Sequence, residues 1–176
     1  MYNVDTQAIQ LITDHYYIQR PNIVSKIAHN GRTFYNKFER IDAPLTAELM
    51  DEHARGNVTI AHDLIHPSNS VNNIVFDYNG RQPERFWQTA QFLLREEGFE
   101  HFTAYETKTA RHLHLYIHQP NITLKEAYQI ADTLSTTLAT TLLKEWRMFP
   151  TKELPREYNI LILPYKQYAK EQGVSS

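Results

Sequence analysis

From Arg111 to His118 the chain alternates without a break. Leu113, Leu115 and Ile117 fall on one side, and His112, His114, Tyr116 and His118 on the other. A period of two is the signature of a strand with two unlike faces. The apolar face needs a core. The other face carries three imidazoles and a phenol, an unusual load for a solvent surface, and is the first candidate for a site.

The rest of the chain is organised around this strand. Residues 5–17 read as a helix with Asp5 as N-cap and Ala8, Leu11, Ile12 and His15 on one face. Asn30-Gly31 sits between the β-rich runs 23–29 and 32–41 and predicts a hairpin, because both residues tolerate positive φ. Residues 44–55 read as a second helix stopped by Gly56, and 58–65 as a short strand. The polar stretch 67–70 marks a boundary. Beyond it the order is strand 71–78, helix 82–97, strand 101–106, strand 111–118, a helix from the capping box Thr123-Leu-Lys-Glu126 to about Trp146, and strand 157–163.

That order implies an α+β fold: a ferredoxin-like or RRM-like βαββαβ core over 71–164, a small amino-terminal subdomain of helix, hairpin and helix over 1–70, and a polar tail over 165–176. Both helices of the core would cover one side of its sheet. The first and third strands would be neighbours, with Ile74, Phe76 and Tyr78 under the helices. Asn73, Val75 and Asp77 would join the histidines on the open side, and the amino-terminal subdomain would close a cleft over part of it.

Composition limits the chemistry. With 41% hydrophobic and 22% charged residues, a chain of 176 residues can bury an ordinary core. Its net charge of −2 lacks the electrostatic footprint of a strong nonspecific nucleic-acid binder, although a local basic patch is compatible with it. Without cysteine there is no disulfide, thiolate metal site or cysteine nucleophile. No basic n-region with an apolar run opens the chain, and no stretch reaches the ~18 apolar residues of a membrane span, so a cytoplasmic protein without membrane contact is expected. His62-Asp-Leu-Ile-His66 lacks the base glutamate of the HExxH metalloprotease motif.

Phe76-Asp-Tyr-Asn79, the tryptophan-containing helix after it, and Lys108-Thr-Ala-Arg-His-Leu-His-Leu-Tyr116 together resemble the catalytic core of archaeo-eukaryotic-type primases, which include the polymerase domains of bacterial end-joining ligases. The resemblance spans roughly 71–165. It implies that Asp77 stands at the first metal-binding aspartate, His114 at the histidine that contacts nucleotide phosphate, and Arg111 at the basic residue before it. The second aspartate is replaced by Asn79 and the third acidic position by Pro164. Two-metal nucleotidyl transfer needs several carboxylates, so the implied site is a relic without polymerase activity. The chain is also similar to a small family of short uncharacterised bacterial proteins, which implies no function.

Three uses of the histidine-rich face follow. Asp77, Asn79, Lys108, Arg111, His114 and Tyr116 would bind a nucleotide or the phosphate of a single-stranded nucleic acid, with Mg²⁺ bridging phosphate to Asp77. Alternatively, His112 and His114, with Asp77 or His118, would hold a zinc ion with an open position for hydrolytic chemistry. In the third reading the face has no small ligand and meets another protein.

Overall fold

The computed structural model describes residues 2–168, and the chain is α+β, with eleven strands, three helices and three sheets among them. The strands are β1 (Tyr16–Gln19), β2 (Ser25–His29), β3 (Arg32–Asn36), β4 (Phe38–Ile41), β5 (Ile60–Asp63), β6 (Ser70–Tyr78), β7 (Phe102–Glu106), β8 (Leu113–Thr123), β9 (Trp146–Phe149), β10 (Ile160–Ile162) and β11 (Lys166–Gln167). The helices are α1 (Ala47–Ala54), α2 (Pro83–Glu96) and α3 (Leu124–Leu138).

The large sheet has the order β11-β7-β8-β6-β9, with every pairing antiparallel. The expected neighbours β6 and β8 pair with Asp77 opposite His114, Val75 opposite Tyr116 and Asn73 opposite His118. α2 and α3 cover the other side, where Phe86 meets Phe76 and Tyr78, and the Trp146 indole donates to Ser135 Oγ at 2.9 Å. Pro83 opens α2, and Thr123 caps α3 by accepting the Glu126 amide.

A second sheet, β10-β5-β1-β4, lies over the side that the helices leave bare. Val4, Ile9, Leu64 and Leu161 join Val75 and Tyr116 in one apolar cluster. α1 packs on this second sheet around Tyr16, Leu45, Ile60 and Leu163. The β2–β3 hairpin stands apart as a two-stranded sheet turned by Asn30 (φ 51°) and Gly31 (φ 76°), as the Asn-Gly pair requires.

Several elements differ from the sequence reading. No helix forms over 5–17: Asp5 does accept the amides of Gln7 and Ala8, but Gln10 takes a positive φ and ends the turn. The aromatic and β-branched run Tyr16-Tyr17-Ile18 then enters a strand. The segment 32–41 splits at Lys37, where Asn36 Oδ1 accepts the Phe38 amide and β4 leaves the hairpin to pair with β1. α3 stops at Leu138, because the threonine-rich run after it is a poor helix former, and Trp146 begins β9 instead. β9 pairs with β6 on the side away from β8, so the last strand of the core is Trp146–Phe149 and not the expected 157–163. The 157–163 segment supplies only β10, which pairs with β5 in the other sheet. Lys166–Gln167 of the expected polar tail form β11 on β7, and the rest of that tail lies outside the described residues.

Candidate functional site

The histidine-rich side of the large sheet is buried, not open. Asn73, Asp77, His114 and Tyr116 are all buried. The reason is visible in the cover: the second sheet brings apolar residues to Val75 and Tyr116, and polar groups to the polar ones. Tyr116 meets His62 of β5 at 2.6 Å, and Asn73 donates to the Ile9 carbonyl at 2.6 Å. His62 Nδ1 lies 3.3 Å from the Asp63 carbonyl, so its Nδ1–H donates there and its Nε2 accepts the Tyr116 hydroxyl. Burial pushes the His62 imidazole down to about 4, and burial also pushes the Tyr116 phenol well above its ordinary range. Both are neutral near pH 7.

Asp77 is the centre of a row across three strands. Its carboxylate lies 3.2 Å from His114 Nε2 on β8 and accepts a 3.1 Å hydrogen bond from Arg147 Nη2 on β9. Burial works to raise the carboxyl, but His114 and then Arg147 outweigh it and hold it below the usual carboxylate range. Both carboxylate oxygens therefore have cationic or imidazole partners. Arg147 stands opposite Asp77 on the edge strand, so the neighbour across the sheet is a cation and not a further carboxylate.

The remaining expected site residues are not drawn to this row. His112 precedes β8, and Arg111 (φ 71°) and Lys108 lie exposed in the turn before it. Lys108 acts on His53, on α1. Asn79 is exposed at the end of β6 and turns back to the carbonyl of Asp77 at 3.2 Å. His118 Nδ1 lies 3.3 Å from Asn73. The zinc set Asp77, His112, His114 and His118 is thus not assembled, and among the described residues no group of three or more His, Asp or Glu is placed to hold a metal ion. Of the expected phosphate set the structure brings Asp77 and His114 together but not Arg111 and Lys108. His114 faces the covered side, whereas Arg111 and Lys108 are in solvent.

A groove of about 770 Å³ lies elsewhere, along the outer edge of β9 between the β2–β3 hairpin and α3. Its cations are Arg32 on the hairpin, Lys125 on α3, Lys144 and Arg147 around the start of β9, and Lys152 on the loop after it. Only Asp132 and Glu153 oppose them. Five of the chain's 18 Lys and Arg therefore face two of its 20 Asp and Glu here, leaving 13 against 18 elsewhere. Arg147 is held by Asp77; the other four form no ion pair among the described residues.

Aromatic rings alternate with these charges. Arg32 lies 4.9 Å from the centre of the Phe34 ring, and Lys152 Nζ 5.3 Å from that of Tyr128. The wall is held firmly. Fully buried Asn159 accepts the Thr151 amide at 2.7 Å and donates to the carbonyls of Thr151 and Pro155, which fixes the loop that bears Lys152. The hairpin is docked by His29 Nε2, which donates to the Lys152 carbonyl at 2.7 Å. The sequence does hold a trace of this groove in Lys144-Glu-Trp-Arg-Met-Phe-Pro-Thr-Lys152, where basic and aromatic residues interleave. Reading that stretch as a helix end concealed it.

Residues 1–73 match a family model described as a domain of unknown function (DUF1882), which covers β1 to β5, α1 and the start of β6. The match agrees with the similarity to an uncharacterised family and adds nothing to the primase resemblance. No curated protein matches the chain.

Proposed function

We propose that the chain binds a phosphate-bearing ligand in the groove beside β9 and does not transfer nucleotides. One observation carries the reading. Four cations with no carboxylate partner among the described residues, from the hairpin, α3 and the 144–152 segment, surround one concavity of about 770 Å³ in a protein of net charge −2. Like charges that line one concavity repel one another, and a polyanion offsets that cost.

The strand order β7-β8-β6-β9 supports an RRM-like reading of the core. Asn79 and Arg147 argue against a working primase-type site, since one carboxylate already neutralised by Arg147 makes a poor cage for two divalent ions. Binding is therefore expected to need no Mg²⁺.

Calorimetry with ATP and with inorganic pyrophosphate tests the proposal. Saturable binding is expected, weakened by salt and by Lys144→Ala and Lys152→Ala. Absence of binding below millimolar concentration, or binding indifferent to both substitutions, refutes it. Incorporation of nucleotides with manganese, abolished by Asp77→Ala, would refute the second half.

A second reading, a protein-interaction module, draws on a separate observation. Ile23, Val24 and Tyr35 are 55%, 43% and 61% exposed, and all belong to the hairpin and its approach. Pull-down of a defined partner, lost on Ile23→Asp with Tyr35→Asp, would favour it over the groove.

A further inference from the structure

Resting on the phosphate reading, we infer that the groove's ligand is a single-stranded nucleic acid and not a mononucleotide. Groove residues on α3 run from Lys125 through Tyr128, Gln129 and Asp132 to Ser135 along one helix face. Ten residues of helix rise about 15 Å. At the ~3.4 Å rise of a stacked strand, that stretch accommodates about four phosphates.

Lys125 and Lys152 lie by the amino-terminal half of α3, the latter over Tyr128. Lys144 and Arg147 lie towards its other end, where Trp146 bonds Ser135. A mononucleotide gathers its phosphates at one point and would satisfy one end only. A polynucleotide places charge along the whole length.

Phe34 and Tyr128 are half-buried on facing walls, each with a cation against it. An aromatic surface with a cation beside it takes a stacked base and its phosphate together, without reading the sequence. Only unpaired bases offer a free face for that, so the strand is single.

The test is fluorescence anisotropy of labelled single-stranded oligonucleotides of two, four, eight and twelve residues. The same measurement is made with a hairpin duplex, and ATP is titrated by calorimetry. Affinity is expected to rise steeply up to about four residues and slowly thereafter. Lys144→Ala and Lys152→Ala should each flatten the logarithmic salt dependence by about 0.7. Phe34→Leu and Tyr128→Leu should weaken the eight-residue oligonucleotide about tenfold, with Tyr128→Phe restoring it. Circular dichroism melts of all variants show that they fold. If ATP binds through Lys144 and Lys152 but oligonucleotides bind no more tightly, this inference falls and the phosphate reading stands. If neither binds, both fall. Equal affinity for the duplex, or oligonucleotide binding indifferent to the ring variants, also overturns the inference.

Discussion

Acidification should loosen the cover over the large sheet through one residue, His62. This imidazole is fully buried between the two sheets and is pushed down to about 4 from its ordinary 6.5. In the unfolded chain it takes a proton as pH falls through ~6.5. In the folded chain its Nε2 is occupied by the Tyr116 hydroxyl at 2.6 Å, and the imidazole stays neutral until about pH 4. Between those values the unfolded state binds more protons, so stability falls as pH falls. The stabilisation is complete above the unfolded value and lost as pH approaches the folded one. The interval corresponds to about 3 kcal/mol in all, of which about 2 kcal/mol is lost between pH 7 and pH 5. Urea midpoints across pH 7 to 4.5 for the wild type and His62→Gln measure it. The lowered His53, His118 and Asp77 also destabilise on the acid side, but they remain in both proteins and cancel in the difference. The wild type should lose about 2 kcal/mol more than the variant by pH 5. Parallel curves, or a His62 ring signal titrating near 6.5 by NMR, would refute the assignment.

Tyr116→Phe should cost about 1–3 kcal/mol at pH 7, because it leaves His62 Nε2 buried and unpartnered, and it is read from the denaturation midpoint. Gly80→Ala should lower the melting temperature by several degrees: a Cβ there would fall on the hydroxyl of Tyr78, whose ring stacks on Phe86 and whose hydroxyl accepts the Gln82 amide at 2.9 Å, and overpacking of this kind costs about 1–3 kcal/mol. Asp77→Asn should cost about 1–3 kcal/mol through its bonds to His114 and Arg147, while leaving ATP binding insensitive to added Mg²⁺ in calorimetry.

Local and periodic features were legible in the sequence. Asn30-Gly31 placed the hairpin, and alternation in two neighbouring strands put Asn73, Val75 and Asp77 on the same face as His114 and Tyr116, while the register that sets Asp77 opposite His114 came from the structure. Both signals act over a few residues or follow from the pleat. What failed was decided at long range. Trp146–Phe149 is four residues long, too short for a period to distinguish a strand from a helix end, and it is fixed by pairing with Val75 to Tyr78. Ile160–Ile162 reads as a strand in isolation, but nothing in it says which sheet it joins. The cover was hardest to read. Val4, Ile9, Leu64 and Leu161 belong to three separated segments with no common period, so a strand face rich in histidine looked open.

The buried polar pairs explain how such a cover can seat in one position. Apolar residues alone would let the second sheet slide over Val75 and Tyr116 at small cost. His62 on Tyr116 and Asn73 on the Ile9 carbonyl forbid this, because any shift leaves a buried donor or acceptor without a partner at about 1–3 kcal/mol each. Asp77 adds a third constraint at the edge. Its carboxylate, set in the covered layer, reaches Arg147 on β9, whose side chain is 67% exposed and lines the groove. The residue that resembles a metal-binding aspartate therefore holds a groove arginine in place. The same carboxylate that secures the covered layer also orients one wall of the binding surface we propose.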